Sequence, residues 1–344
     1  MLHDTSYMSS KIPVGILGAT GSVGQKFIEL LADHPWFEIT AVAASENSAG
    51  KVYKDAVGWF MKKPIPENVA SMTVEKCEPT LDCKVVFSGL DAKVAGEIET
   101  KFRDAGYFVI SNSRNHRMDP DVPLLVPEIN PESLSLLEKQ TSKGKIITNP
   151  NCSVMGLVFP LKTLLPYGIE AVSVVTLQAL SGAGYPGVAS VDIIDNVIPF
   201  IGGGEEEKIE TEPNKILSAN LNISATVNRV AVLDGHTECI SVKLKNKLPK
   251  EELINIWNNF KGEPQELDLP MAPKQPIKYF FEENFPQPKL HRDLEKGMVV
   301  SIGRLRDCSV LDYKFTILSH NTIRGAAGGA ILNAELLVKK GFIK

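Results

Sequence analysis

The sequence predicts an α/β protein in two parts, a doubly wound parallel sheet followed by an α+β domain whose sheet is mostly antiparallel. Three observations carry that prediction. A strand, a glycine-punctuated turn and a helix open the chain, and short β-rich runs then alternate with helical stretches as far as residue 148. Beyond Asn151 the apolar runs become longer and alternate with polar residues. The third is length, since 344 residues supply two cores.

In chain order, Ile12 to Leu17 is an apolar strand, and Ser22 to Asp33 carries Val23, Phe27, Leu30 and Leu31 at helical spacing. Strands are expected at Phe37 to Ala44, Lys84 to Ser88, Tyr107 to Ser111 and Lys145 to Thr148, with a helix over the apolar Val154 to Leu165. The alternating runs Ile169 to Gln178, Thr226 to Leu233, His236 to Leu244, Gly297 to Leu305 and Leu311 to Leu318 suit an antiparallel sheet. Asp234-Gly235 is a hairpin turn signal that pairs Leu233 with His236 and turns Arg229 to the same side. Thr322 to Lys340 reads as one helix, with Asn321 as N-cap and Gly341 as stop, returning to the first domain. The expected division is 11–151, completed by 321–344, and 152–320.

Composition narrows the function classes. Apolar residues are 43% and charged residues 23%, the range of ordinary globular domains, and no apolar run approaches the ~18 residues of a membrane span. The net charge is −4 with no basic block, which argues against a nucleic-acid partner. Five cysteines without a C-x-x-C pair or a cysteine/histidine cluster argue against structural zinc and a disulfide framework, so no metal is expected. The polar stretch Met1 to Ser10 lacks signal-peptide order and reads as a loose tail on a cytoplasmic protein.

Gly18-Ala-Thr-Gly21-Ser-Val-Gly24 follows a strand and opens a helix, the Rossmann-type context in which backbone N–H groups and the helix dipole meet a pyrophosphate. After the second strand come Ser45, Glu46, Ser48 and Lys51, small hydroxyls and a cation suited to a 2′-phosphate, which favours NADP (as NADPH) over NAD.

Cys152 follows Asn149-Pro150-Asn151 at the start of an expected helix, where the dipole lowers a thiol's pKa and free N–H groups cradle an oxyanion. The other four cysteines read as core residues. His236 is the candidate base. The glycine-rich stretch 181–187 and the charged stretch 202–208 read, on composition, as loops.

Six blocks in order, GATGSVG at 18–24, NPNCS at 149–153, LQALSGAGYPG at 177–187, EEEK at 205–208, NRVAVLDGHTE at 228–238 and HNTIRGAAGGAILNAELL at 320–337, resemble the aspartate-semialdehyde dehydrogenase family, most closely its archaeal and fungal branch. The resemblance implies NADPH-dependent reduction of L-aspartyl 4-phosphate to L-aspartate 4-semialdehyde and phosphate through a cysteine thioester, in threonine, methionine and lysine biosynthesis. It implies Cys152 as nucleophile, His236 as acid/base and Gln178 as the residue orienting the substrate. Arg229 would fork the α-carboxylate, Glu206 would face the ammonium, and Arg117, Lys208 and Asn151 would hold phosphate. Gly18, Thr20, Gly21, Ser22 and Val23 would line the pyrophosphate turn, with Ser45 and Ser48 at the 2′-phosphate, Ser88 and Gly182 at the ribose and nicotinamide, and Asn321 at the carboxamide. It further implies a catalytic and dimerisation role for the second domain, in a homodimer or homotetramer. The rival reading is a CoA-acylating reductase such as malonyl-CoA reductase, which uses the same thioester chemistry.

Overall fold

The computed structural model describes residues 10–344, so the expected tail lies outside the described residues up to residue 9. Val14, Ile16 and Leu17 of strand β1 (Ile12–Leu17) are fully buried, as a central strand covered on both faces requires. It belongs to a six-stranded, all-parallel sheet with β2 (Phe37–Ala44), β3 (Glu75–Lys76), β4 (Val85–Ser88), β5 (Phe108–Ser111) and β6 (Lys145–Thr148), in the order β3-β2-β1-β4-β5-β6. The order reverses between β1 and β4, and the crevice beyond their carboxyl ends is where such sheets bind ligands. Helix α1 (Ser22–Leu31) turns Phe27, Ile28 and Leu31 into the core, and α2 (Ala92–Ala105) is capped by the Asp91 carboxylate on the Lys93 N–H.

The second domain opens with helix α3 (Cys152–Leu164), apolar nearly all round and buried along most of its length. Its sheet comprises β7 (Ile169–Gln178), β8 (Ile198–Pro199), β9 (Ile223–Arg229), β10 (His236–Leu244), β11 (Ile277–Phe280), β12 (Val300–Asp307) and β13 (Tyr313–Ser319), in the order β11-β12-β13-β10-β7-β9-β8. Pairing is mixed: β7 with β9 and β11 with β12 run parallel, the others antiparallel. Helices α4 (Glu205–Leu217) and α5 (Lys250–Asn259) complete the domain, and α3 packs on β7, β10 and β13. The facing side of β10 buries His236, Glu238, Ile240, Val242 and Leu244; the other side leaves Cys239 exposed and Val175 of β7 at 38% exposure.

Two local expectations are corrected. Strands β9 and β10 do not form a hairpin, because β7 lies between them, parallel to one and antiparallel to the other. The chain after Arg229 runs beside the β7 exit instead, with Leu180 N–H bonding Val232 O and Ser181 N–H bonding Leu233 O. Nor is the C-terminal segment one helix from residue 322. Ile323–Ala327 is a π-helical turn, and α6 (Gly328–Lys339) follows. Arg324 in that turn is fully buried and forks Glu128 at 2.8 and 2.7 Å, while a Cβ on Gly325 would stand 2.8 Å from Cys152 Cβ. Ala330, Ile331, Ala334 and Leu337 of α6 join the core built on β1 and α1. Among the described residues, no helix is long and apolar enough to cross a membrane.

Candidate active site

Asn151 is the N-cap of α3: its side-chain oxygen accepts from the N–H groups of Ser153 and Val154 at 2.9 and 3.3 Å. Such a cap contributes ~1 kcal/mol and fixes the first turn. Its own N–H donates to Glu212 at 2.7 Å and its amide to Glu205 at 2.8 Å, so one asparagine sets both the helix start and an acid beside it. Cys152 is thereby held at the first helical position.

His236, the first residue of β10, faces the thiol from the sheet, with Nε2 3.1 Å from Cys152 Sγ. The backbone N–H of Ala179 donates to Nδ1 at 3.0 Å, which leaves the neutral ring's proton on Nε2, pointing at the sulfur. Burial, reinforced by Arg229 and His320 and opposed by Glu205, takes His236 down to about 3. Cys152 departs from the low pKa expected of it. Desolvation, with the Glu205 carboxylate next, pushes the thiol up to about 12, outweighing Arg117, Arg229 and Lys208. The resting pair is therefore a thiol beside a neutral imidazole.

Around the sulfur the sheet brings up Gln178 and Arg229, the last residues of β7 and β9, which are partners in register. Gln178 donates to Glu205 at 3.2 Å, and Arg229 Nη1 to Ala179 O at 2.6 Å. A Cβ at residue 182 would lie 2.9 Å from Arg229 Nη1 and 3.2 Å from the His236 ring, so Gly182 is required for both to converge. Arg117 is nearly buried, donating to Glu212 at 2.9 Å and to Asn112 O at 2.8 Å, and Lys208 pairs with Glu205 at 3.1 Å.

Glu206, the expected ammonium ligand, does not face the site; its carboxylate accepts from Val227 N–H at 3.2 Å. Glu205, one residue earlier on α4, is the acid that lines the site, where the helical turn puts it beside Lys208. Burial alone would raise Glu205, but Lys208 and hydrogen bonds from Asn151 and Gln178 hold its carboxyl below the ordinary value.

Asn151, Cys152, Gln178, Glu205, Lys208, Arg229 and Arg117 line a cavity of about 590 Å³ that extends past Gly182, Asn321 and Ala326 to Ser22, Val23 and Leu90 at the β1/β4 crevice. There Gly18 is left-handed (φ +74°), and a Cβ on Gly24 would sit 2.2 Å from Gly18 O, so the turn and the α1 N-terminus pack as a glycine-walled cradle. Thr20 and Gly21 belong to the same turn; Ser45 and Ser48 form an open turn after β2. Ser88, expected on the ribose side, is fully buried at the end of β4, where its carbonyl accepts from Asn112. Asn321 is not an N-cap. Its side chain accepts from Gly235 N–H and donates to Ser181 Oγ, each at 2.8 Å, tying together the loops that flank His236.

The sequence reading also missed Arg114, whose Nη1 reaches Gly203 O at 2.8 Å, and the Ala179 N–H that fixes the histidine tautomer. Backbone donors leave no mark in a sequence, and Arg114 stands in no motif that marks it out.

Comparison with known proteins agrees with this assembly. Residues 13–137 match the model of the semialdehyde dehydrogenase NAD binding domain, and residues 159–324 that of the semialdehyde dehydrogenase dimerisation domain. Aspartate-semialdehyde dehydrogenase of Schizosaccharomyces pombe is 49% identical over 96% of this chain and 99% of its own, and that of Archaeoglobus fulgidus is 45% identical over 96% and 99%. The crystal structure of aspartate semialdehyde dehydrogenase with NADP from Candida albicans superposes with a TM-score of 0.90 at 44% identity, covering 97% of this chain and 100% of that one. With relatives of that identity matched from end to end, the chain belongs to the aspartate-semialdehyde dehydrogenase family.

Proposed function

We propose that the protein reduces L-aspartyl 4-phosphate to L-aspartate 4-semialdehyde with release of phosphate, using NADPH, as a step of threonine, methionine and lysine synthesis. The observation that carries this reading is the Cys152 Sγ to His236 Nε2 contact of 3.1 Å at a helix N-terminus, in one cavity with Arg229 and the nucleotide crevice. The tight glycine turn at Gly18 to Gly24 brings Ser22 and Val23 of the first turn of α1 to the cavity, a place that suits a dinucleotide pyrophosphate. Ser45 and Ser48 offer hydroxyls to a 2′-phosphate, and Glu46 faces Lys76 at 3.9 Å, which offsets its charge. NADP in the Candida relative supports the same choice.

The chemistry follows from the side chains. Arg229 fixes the substrate α-carboxylate with a planar fork, Glu205 faces the ammonium, and Gln178 orients the acyl group. Sγ forms a bond to the acyl carbon, the C–O bond to phosphate breaks, and the thiol proton leaves with the departing phosphate, giving a thioester on Cys152. NADPH, when bound, would supply the hydride that this carbon accepts. His236 then donates a hydrogen bond from Nε2 to the oxyanion of the resulting thiohemiacetal; its carbonyl re-forms as the C–S bond breaks, the aldehyde leaves, and the Cys152 sulfur takes a proton from solvent to return to the thiol. A base role for His236, the other half of the acid/base expectation, would place a second N–H opposite Ala179, so the donor role is the one the geometry supports.

A homodimer or homotetramer through the second domain accords with the exposed face of its sheet, at Val175 and Cys239, and with exposed Val191, Ile194 and Phe200 nearby in sequence. The decisive assay is phosphate-dependent NADP⁺ reduction by purified protein with aspartate semialdehyde. Turnover that needs CoA in place of phosphate would overturn the proposal in favour of a CoA-acylating reductase.

A further inference from the structure

Four cations line the active-site cavity, and their partners divide them. Arg117 is neutralised by Glu212 at 2.9 Å, and Lys208 by Glu205 at 3.1 Å. Arg229 meets only carbonyl oxygen, which leaves its charge for the substrate carboxylate. Arg114 is the fourth. It is exposed on the loop after β5, and its single side-chain hydrogen bond among the described residues goes to the neutral carbonyl of Gly203 at 2.8 Å. The cavity wall holds two acids, Glu205 and Asp91; Asp91 caps α2 on Lys93 N–H, and among the described residues no carboxylate lies within 4.0 Å of Arg114.

We propose that Arg114, beside the already neutralised Arg117 and Lys208, supplies the uncompensated positive charge that recognises the phosphoryl group of the substrate and the inorganic phosphate of the reverse reaction. A phosphate carries about two negative charges at neutral pH, and cations already balanced by buried carboxylates attract it weakly. The one bond to Gly203 leaves most of the five guanidinium donors free for phosphate oxygens. Its placement serves the same end. Gly203 and Gly204 are both left-handed (φ +77° and +70°) and directly precede Glu205, so Arg114 spans from the cofactor domain to the turn that presents Glu205 and Lys208.

The inference rests on the acyl-phosphate reading above, so its test includes a measurement that does not need turnover. In phosphate-dependent NADP⁺ reduction, Arg114→Gln is expected to raise the half-saturating phosphate concentration about 10-fold or more, with the KM for semialdehyde within about 2-fold. Arg114→Lys recovers part of the loss, because it keeps the charge without the fork. Unchanged phosphate dependence overturns the assignment. So does a parallel rise of both constants, the sign that Arg114 only steadies the Gly203 turn. Protection of Cys152 from iodoacetamide by inorganic phosphate, followed on the Cys152 peptide by mass spectrometry at alkaline pH so that the exposed Cys239 is read separately, gives the independent reading. Protection of the wild type at phosphate concentrations that leave Arg114→Gln unprotected supports the role; equal protection of both, or of neither, removes it. Failure of phosphate-dependent turnover in the wild type counts against the proposed function, and the protection assay still decides Arg114.

Discussion

At its nucleotide end the cavity is met by a backbone turn of the parallel-sheet domain, whereas at the thiol most of the side chains come from the second domain. At the β1/β4 crevice Ser22 and Val23 reach the cavity at the end of the turn from Gly18 to Gly24, seven consecutive residues whose arrangement follows from a strand, a left-handed glycine and a helix start. At the thiol the groups come from five elements: Cys152 from a helix, His236, Gln178 and Arg229 from three adjacent strands, and Glu205 from another helix. Cys152 and His236 are 84 positions apart, and Asn151 and Glu205 are 54 apart. A local motif tolerates changes elsewhere. A constellation depends on every element that positions it.

The sharpest separation of the two regions is Cys152→Ala. Turnover is expected to fall at least ~10⁴-fold, while NADPH binding, followed by fluorescence, stays within about 2-fold, because the cradle shares no element with α3. Loss of cofactor binding along with activity would show that the halves are not independent.

Next in size is the contrast between neighbouring acids on α4. Glu205→Gln removes the charge opposite Lys208 and a hydrogen-bond acceptor for Asn151 and Gln178, so kcat/KM should drop about 100-fold. Glu206→Gln, whose carboxylate turns toward Val227, is expected to keep kcat/KM within about 3-fold. A larger loss in the second variant would restore Glu206 as the substrate acid.

The smallest effect concerns stability and pH. Glu238 lies two residues after His236 on the same buried face, with neither carboxylate oxygen hydrogen-bonded, and burial followed by the Glu205 charge raises it well above 4.5. The native state thus keeps the proton while the unfolded chain releases it above about pH 4.5, so this group lowers stability as pH rises toward its folded value. Glu238→Gln cannot ionise. Its stability relative to the wild type should grow by up to roughly 1 kcal/mol per pH unit over that window. Urea unfolding at pH 5 and pH 8 checks this, and a pH-independent difference would mean that Glu238 is ionised in the fold.

Legibility in the sequence follows the same division. The strands at Ile12–Leu17, Phe37–Ala44, Lys145–Thr148 and Ile169–Gln178 end where apolar pattern and turn residues place them, because burial period and backbone punctuation are local. The hairpin at Asp234-Gly235 was misread for the opposite reason: turn chemistry specifies a bend, but which strand pairs with which is settled by the whole sheet, and β7 inserts between β9 and β10. The π-helical turn at Ile323–Ala327 was likewise invisible, since its fixed points are Glu128 and Cys152, far away in the chain.

By itself, then, the sequence determined the glycine turn, the alternation of strands and helices in the first domain and the blocks that name the family, all properties of short contiguous stretches. Tertiary structure alone decided that Glu205 rather than Glu206 faces the thiol, that Cys152 rests protonated beside a neutral His236, and that Arg114 stands without a counter-charge. Each of these depends on desolvation and on distances between residues remote in the chain, and an order of residues carries neither.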